Sequence, residues 1–408
     1  MYIEINNNHV IAALDFSRVY KGFDEISLYS DLNDIVHLGR EIDLLETIRR
    51  QDNPEYDCYS FPKQQLTVYG RGIRMDPTTL EKITLNNFVE DNLILLNDEA
   101  IEVNFKDWRR ILHYGKSQIQ KNLKHRSQEL LNLLAKGMVQ PVHDSYYQEV
   151  ISNFPLGVQT PLEDYLSQSK LLCPIQAKES IYYSSPKIYK HQESFRKILE
   201  LNEDAKVFEA LEYLNKNPGI PLESINPEDY NHSLLKGLSL SGALDTISLD
   251  VNGSSHEYLI PSNLNTDRLD KDHLDQVKKT LANFRFGQSY AKWTLRSPKI
   301  FLEKLLENGF AGNASVIGTD YRHLEAAGIV SVEKISGSNY RFWMLKKDII
   351  EDTVKVLNGS VPVISKNPNL NIDKMDDTVL SRMILDQTKE PDVKIISDAL
   401  RKLERGLL

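Results

Sequence analysis

One pattern of elements occurs twice between residues 205 and 347, and it constrains the fold more than any other feature of the sequence. Each copy has a helical run, a short apolar piece, a second helix and two β-rich runs. The helices of the first copy are expected at 205–215 and 229–240, and its strands at 246–251 and 257–260. Those of the second copy are expected at 299–307 and 319–327, and at 329–335 and 340–345. The order predicts two small helix–helix–hairpin modules.

The turn residues of the two copies correspond as well. Asn252-Gly253 separates the β-rich runs of the first copy, and Ser336-Gly337 separates those of the second. Asn-Gly between such runs predicts a tight hairpin because both residues adopt positive φ easily. Gly242 and Gly328 each follow the second helix of their copy, where a glycine commonly ends a helix.

In these residues the chain resembles winged-helix domains, which combine a helix-turn-helix with a two-stranded wing. The segment 321–330 has the character of a recognition helix that leads into a wing strand. The resemblance covers about a third of the chain, concerns the fold alone, and is better in the second copy. It implies DNA or protein binding by the second helix and the wing.

The two copies differ in charge, and we therefore expect different partners for them. The second helix and wing of the second copy offer side chains that reach phosphates or base edges, of which Arg322, His323 and Lys334 are the candidate nucleic-acid ligands. A solvated face of a protein-docking module is the alternative there. The first copy offers Glu228 and Asp229 within a block, residues 201–250, of net charge −6. These carboxylates would repel phosphates, so the first copy is expected to bind protein or to pack internally.

The strongest nucleic-acid candidate is the segment between the copies, residues 278–293. It contains no acidic residue and carries four cations, Lys278, Lys279, Arg285 and Lys292. Four aromatic residues alternate with them, namely Phe284, Phe286, Tyr290 and Trp293. Cations release counterions from a phosphate backbone and exposed aromatic rings stack on unpaired bases. In the alternative interpretation the aromatic residues belong to the core, and the cations alone line the surface.

The preceding half of the chain predicts mixed structure, and the whole is assigned to the α+β class. Strands are expected at 10–16, 66–68, 93–96 and 100–105, and helices at 40–50, 106–136 and 162–172. We expect a mixed α/β domain over 1–105, a helical middle region over 106–200, an acidic module over 201–262, and a basic connector with the second module over 263–350. Residues 351–408 are expected to form a linker with short C-terminal helices. Those helices, at 378–385 and 393–407, need a partner domain or subunit to cover their apolar stripes.

Composition excludes several classes of protein. The 408 residues contain no apolar run long enough to span a membrane. Residues 1–8 lack a basic region followed by an apolar one, so no secretory signal is expected. Two cysteines, Cys58 and Cys173, are too few for a disulfide framework, which favours a cytoplasmic location. The net charge of −9 argues against a protein that coats nucleic acid with its whole surface.

Catalytic motifs are largely missing from the sequence. It has no phosphate-binding loop, no dinucleotide fingerprint, no His-Glu-x-x-His and no nucleophile elbow, so no cofactor, metal ion or catalytic residue is assigned. Asp15 is a weak candidate for a metal ligand at the end of a strand, and Lys178-Glu179 has the reverse order of a nuclease pair. His256-Glu257 lies on the first wing and is expected to face solvent.

These observations together favour a non-enzymatic, cytoplasmic DNA-binding protein that also recruits a protein partner through its acidic surfaces or C-terminal helices. We expect it to act as a subunit of a multi-protein DNA-transaction or anti-phage defence system, or as a transcriptional regulator. The alternatives are a metal-dependent nuclease with its site in residues 1–200 and a scaffold that binds only proteins.

Overall fold

The structure of the chain is a computed structural model. It describes residues 3–19, 30–50, 59–97, 99–105, 108–251, 254–262, 264, 271–290, 295–315, 317 and 321–358, together with the backbone of 382–384. The chain divides into two compact units, Met1–Lys187 and Ile188–Leu408, and each is considered by itself. Both combine helices with small antiparallel sheets, as the α+β assignment predicts.

The first unit is built mainly from helices. Its first part comprises α1 (Asn7–Val19), α2 (Ser30–Arg50), β1 (Tyr59–Pro62), α3 (Lys63–Gly72), α4 (Pro77–Thr79), a π-helical turn at Leu80–Thr84, α5 (Leu85–Glu90), β2 (Ile94–Leu96) and β3 (Ala100–Val103). Its second part comprises α6 (Trp108–Asn122), α7 (His125–Val139), β4 (Val142–His143), α8 (Asp144–Ser152), α9 (Leu156–Gln168), β5 (Cys173–Ala177) and β6 (Ser180–Ser184). The strand orders are β1-β3-β2 and β4-β6-β5.

Helices α1 and α2 pack at a distance that only glycine permits. A Cβ atom on Gly39 would lie 2.3 Å from the carbonyl oxygen of Ala13 and from Cβ of Ser17. The side chains around this contact belong to a core that runs from Ile5 to Leu172. The expected boundary between residues 105 and 106 therefore falls within one continuous core, because α6 and α7 bury their apolar sides against α1 and α2.

Two strands expected in the first unit are helices. Residues 10–16 lie in α1 and residues 66–68 in α3, so both strand predictions are wrong. The apolar run in α1 is buried on most sides, and a run of that kind does not distinguish a buried helix from a strand. The expected helix at 106–136 is two helices, with Leu123 and Lys124 between them. The second helix runs past residue 136 and contains Gly137, where a Cβ atom would lie 2.3 Å from Cδ2 of Leu172.

The second unit contains the two modules. After α10 (Gln192–Leu201), the first module consists of α11 (Asp204–Lys216), β7 (Ile220–Pro221), a 3₁₀ turn at Leu222–Ser224, α12 (His232–Leu240), β8 (Leu244–Val251) and β9 (Ser254–Pro261). Then comes α13 (Lys271–Ser289). The second module consists of α14 (Pro298–Asn308), β10 (Phe310–Ala314), α15 (Arg322–Ala326), β11 (Val330–Ser336) and β12 (Asn339–Met344), and α16 (Lys347–Asn358) follows it.

The strand order is equivalent in the two modules. In each, the single strand that follows the first helix pairs with the last strand of the hairpin, which gives β8-β9-β7 and β10-β12-β11, all antiparallel. The expected order of helix, short piece, helix and hairpin is thus present in the first module. In the second, the short piece at 314–317 is only partly described, and α15 is shorter than the expected helix at 319–327.

Helix α13 lies in the core of the second unit. Its buried residues Val277, Leu281 and Phe284 share one hydrophobic cluster with the hairpin of the first module and with Leu302 and Phe342 of the second. The segment expected to be a connector is therefore a central core helix. Its apolar side faces both modules because it packs between elements of each.

Most of the C-terminal expectations lie outside the described residues. The linker, which is expected at 360–371, and the helix expected at 393–407 both lie outside the described residues. Within the expected helix at 378–385, Arg382–Ile384 forms a strand, β13, that pairs antiparallel with β8. Within the described residues, no helix has the length and apolarity needed to cross a membrane.

Candidate nucleic-acid interface

Lys278, the first cation of the expected nucleic-acid segment, points into the protein. Its side chain is buried on α13, where its Nζ contacts the carboxylate of Asp245 and donates to the carbonyl oxygen of Ser262 at 3.1 Å. An ammonium group that is already paired and desolvated is not available to a phosphate. The prediction that Lys278 lies on a binding surface is wrong.

Arg285 is also buried, with 3% of its surface exposed. Its Nε donates to the carbonyl oxygen of Pro218 at 3.3 Å and its Nη1 to Oε1 of Gln288 at 2.9 Å, while Nη2 has no hydrogen-bond partner among the described residues. Burial lowers the pKa of the guanidinium to about 10. The prediction of a surface role for Arg285 is therefore wrong, as it is for Lys278. Both cations lie on the side of α13 that packs into the core.

The aromatic residues of the same segment are core residues where the structure describes them. Phe284 is fully buried and packs against the rings of Phe301, Tyr321 and Phe342. Phe286 and Tyr290 are buried as well, so the alternative interpretation of these aromatics is confirmed. Lys279 is half-buried, and Lys292 and Trp293 lie outside the described residues.

The recognition-helix candidates of the second module are only partly described. Arg322 begins the five-residue α15, and its side chain lies outside the described part. His323 is half-buried. Glu325 accepts a hydrogen bond from the backbone N–H of Val332 at 3.0 Å, which fixes the helix to the first strand of the hairpin. Among the predicted ligands whose side chains are described, the structure therefore brings no set together into one charged surface.

Among the predicted ligands whose side chains the structure describes, Lys334 is the exposed one. It lies on β11 at the end of the hairpin, next to a turn that is exposed from Ser336 to Ser338. Gly337 has a φ of +56° in this turn, a conformation that L-residues other than glycine rarely adopt. The hairpin tip thus presents one cation and two hydroxyl groups to solvent.

A second surface of the same hairpin was not foreseen from the sequence. Phe342 faces the core, so the pleat turns its neighbours Arg341 and Trp343 to the opposite side, which we call the outer face. Trp343 pairs in register with Phe310, and their ring centroids are 5.2 Å apart. The guanidinium of Arg341 lies 4.4 Å from the centroid of the Phe310 ring. The sequence signal for this surface was the alternation of side chains along residues 339–345, which predicts a strand with two faces. Alternation does not tell which of the two faces packs against the core.

The first module presents an acidic surface, as its composition predicts. Glu228 and Asp229 are exposed next to Tyr230, whose ring packs 5.1 Å from that of Tyr213. Burial and then neighbouring negative groups raise the pKa of both tyrosines, which indicates that acidic side chains surround this pair. This surface is unsuited to a phosphate backbone.

His256 of the first hairpin is not the solvent-facing residue expected. Its Nδ1 lies 3.0 Å from Oε2 of Glu223, and its ring stacks on Tyr290 with centroids 4.0 Å apart. The hydroxyl group of Tyr290 donates to the same carboxylate oxygen at 2.7 Å. These contacts attach the C-terminal end of α13 to the first module, because Tyr290 directly follows α13, whereas Glu223 belongs to the 3₁₀ turn and His256 to β9.

The weak catalytic candidates occupy structural positions. Asp15 lies within α1, not at the end of a strand, and pairs with Lys187 at 2.5 Å. Lys178 and Glu179 form the turn between β5 and β6. The residues that the structure describes contain no group of three or more His, Cys, Asp or Glu side chains arranged to hold a metal ion.

Comparison with known proteins assigns this chain to no family. No protein-family model matches this chain, and neither a curated protein nor a solved structure shows significant similarity to it.

Proposed function

We propose that this chain binds DNA through its second module, with Lys334 at the hairpin tip among the contacting residues. The observation that carries the proposal is the exposed tip, where a cation and two serine hydroxyls extend away from the core. Ammonium and hydroxyl groups are the side chains that proteins use to contact phosphate oxygens. A protruding hairpin also reaches along a groove or backbone without moving the rest of the module.

The repeated topology supports assigning both modules to the winged-helix type. Each has a helix, a single strand, a further helix and a hairpin, and in each the single strand pairs with the last strand of the hairpin. In such domains the hairpin is the wing and the helix before it is the recognition helix. Helix α15 would then lie against DNA beside Lys334.

The charge difference between the modules supports a division of roles. The first module carries Glu228 and Asp229 on its exposed side, and we infer that it binds a protein or serves to anchor α13. A DNA-binding module coupled to a protein-binding module suits a non-catalytic subunit of a DNA-transaction or defence complex, or a transcriptional regulator, in the cytoplasm.

Salt dependence of DNA binding by the full chain tests this proposal. Binding of a labelled duplex should weaken as salt rises, and Lys334→Ala should reduce the slope of log affinity against log salt by about 1. Lys206→Ala is the matched control, because Lys206 is an exposed cation on α11 of the acidic module. No salt-dependent binding, or equal slopes for both variants, contradicts the proposal, and the first of these results favours a protein-only scaffold.

A further inference from the structure

Helix α6 of the first unit, Trp108–Asn122, presents a solvent side that carries cations and no acid. None of its fifteen residues is an aspartate or a glutamate. Its apolar residues are all buried, so the remaining arc of the helix is polar. We call this arc the α6 face, and its side chains, exposed or half-buried, include Arg109, Arg110, His113, Lys116, Gln120 and Lys121.

Two lysines of the α6 face have uncompensated charges. The side chains of Lys116 and Lys121 have no ion-pair or hydrogen-bond partner among the described residues. A carboxylate that does contact the helix, Asp91, accepts a bond at 3.0 Å from Gln118, which belongs to the buried side. The α6 face therefore keeps a positive charge that a ligand can neutralise.

The cations that follow α6 differ in this respect. Lys124 pairs with Asp31 at 2.6 Å, and His125 lies 3.2 Å from Glu129. These groups already have carboxylate neighbours within the first unit. The candidate surface accordingly ends with α6 and does not extend along the start of α7.

The composition of the α6 face selects its occupant. The centre of a protein–protein interface is rich in apolar and aromatic residues and poor in charge, and a helix that lies on a membrane turns an apolar side to the lipid. The α6 face has neither property, because every apolar side chain of the helix is in the core. Interfaces with nucleic acid are more polar and far more positive, and lysine and glutamine side chains contact phosphate oxygens there.

The positions of the two lysines favour a duplex over other phosphate ligands. Lys116 and Lys121 are about 7.5 Å apart along the helix axis and about 140° apart around it, so they suit separate phosphate groups. Trp108 and Tyr114 are buried, so no ring of α6 is open for stacking on unpaired bases. Double-stranded DNA carries one charge per about 1.7 Å of its axis and needs no such ring.

We propose that the α6 face binds the phosphate backbone of double-stranded DNA, with Lys116 and Lys121 on different phosphates. This site goes beyond the proposed function and does not rest on it, because α6 belongs to the first unit and Lys334 to the second. Contacts of this kind position a duplex without reading its bases, so binding is independent of sequence.

A double variant of the full chain, Lys116→Gln with Lys121→Gln, tests the inference. It removes two charges and keeps long polar side chains, whereas Lys116→Arg with Lys121→Arg keeps the charges. The control is Lys82→Gln with Lys206→Gln, which removes two exposed cations that lie outside α6. Each protein is titrated at several salt concentrations with labelled duplexes of about 20 base pairs and two unrelated sequences. Thermal unfolding verifies that each variant is folded.

The glutamine variant should reduce the slope of log affinity against log salt by about 2, and duplex affinity at 0.1 M salt by about 10- to 100-fold, equally for both sequences. The arginine variant and the control should stay within about 0.5 of the wild-type slope. A wild-type slope in the glutamine variant overturns the inference. Labelled poly-L-glutamate stands for an acidic protein partner, and tighter binding of it than of duplex, lost in the glutamine variant, also overturns the inference.

Comparison with Lys334→Ala separates this site from the one in the second module. If the slope falls in the α6 glutamine variant but not in Lys334→Ala, the inference holds and the proposed function fails. If it falls only in Lys334→Ala, the proposed function holds and the inference fails. Wild-type protein that shows no salt-dependent duplex binding contradicts both.

Discussion

His273 of α13 and Asp352 of α16 form a buried pair in the second unit, with Nε2 and Oδ2 2.7 Å apart. Both side chains are almost completely shielded from water. Asp348, one turn earlier on α16, lies 3.7 Å from the other ring nitrogen of His273, and Lys355 approaches the second oxygen of Asp352 at 3.4 Å. The pair therefore fixes the register of α16 on the central helix.

We expect Asp352→Ala to destabilise the second unit by about 3 kcal/mol, because it leaves the imidazole of His273 buried without its main partner. Replacing both residues by leucine should recover much of this loss, since an apolar pair of similar volume needs no compensation. Denaturant unfolding measures both changes. Lys347→Ala on the same helix, which removes only an exposed pair with Glu351, should cost less than about 1 kcal/mol. Equal unfolding midpoints for the aspartate and lysine variants would contradict this role.

Arg285→Met is expected to leave the free energy of unfolding at pH 7 within about 1 kcal/mol of wild type, or to raise it. The substitution removes a buried charge that has no carboxylate partner in the described part of the chain, and it keeps an apolar stem. Because the pKa of Arg285 is lowered to about 10 in the folded protein, the unfolded chain binds the proton more strongly. Wild-type stability should therefore gain a contribution as pH rises above 10, and the variant should lack it. A loss of several kcal/mol at pH 7 in urea titrations would show that the charge is needed.

His9 should make the first unit less stable in mild acid. It is buried on α1, and burial, opposed by hydrogen bonds, lowers its pKa below 6.5. As pH falls below 6.5 the unfolded chain takes up the proton before the folded chain does, so the free energy of unfolding decreases. His9→Asn should reduce this loss between pH 7.5 and 5 in urea titrations, whereas His113→Asn, at an exposed position on α6, should not. Identical pH profiles for wild type and His9→Asn would exclude His9 as the cause.

Gly39→Ala is predicted to destabilise the first unit by about 1–3 kcal/mol, since the new methyl group would overlap the backbone of Ala13 and the side chain of Ser17. Gly72→Ala is the matched control at the end of α3, where nothing lies within 4 Å of the added atom. Thermal unfolding of the two variants separates the steric effect from the helix propensity of alanine. A higher midpoint for Gly39→Ala would mean that the two helices are not held at this distance.

Local sequence determined the elements whose signals do not depend on distant contacts. The hairpins of both modules, the turn glycines Gly242 and Gly328, and the strands around 94–103 were predicted because turn chemistry and alternation act over a few residues. Charge composition likewise identified the acidic surface of the first module. The α+β class follows from these elements.

Only the tertiary structure decided which side of an element is covered. The apolar run in α1 formed a helix instead of a strand because other helices bury it on most sides, and that environment is not encoded within the run. For the same reason Lys278 and Arg285 in an acid-free segment point inward, where backbone carbonyls and one carboxylate replace water, while Arg341 and Trp343 remain on the outer face. Sequence fixes the period of the side chains along an element, whereas the free energy of burial, summed over contacts with distant elements, selects the face that is covered.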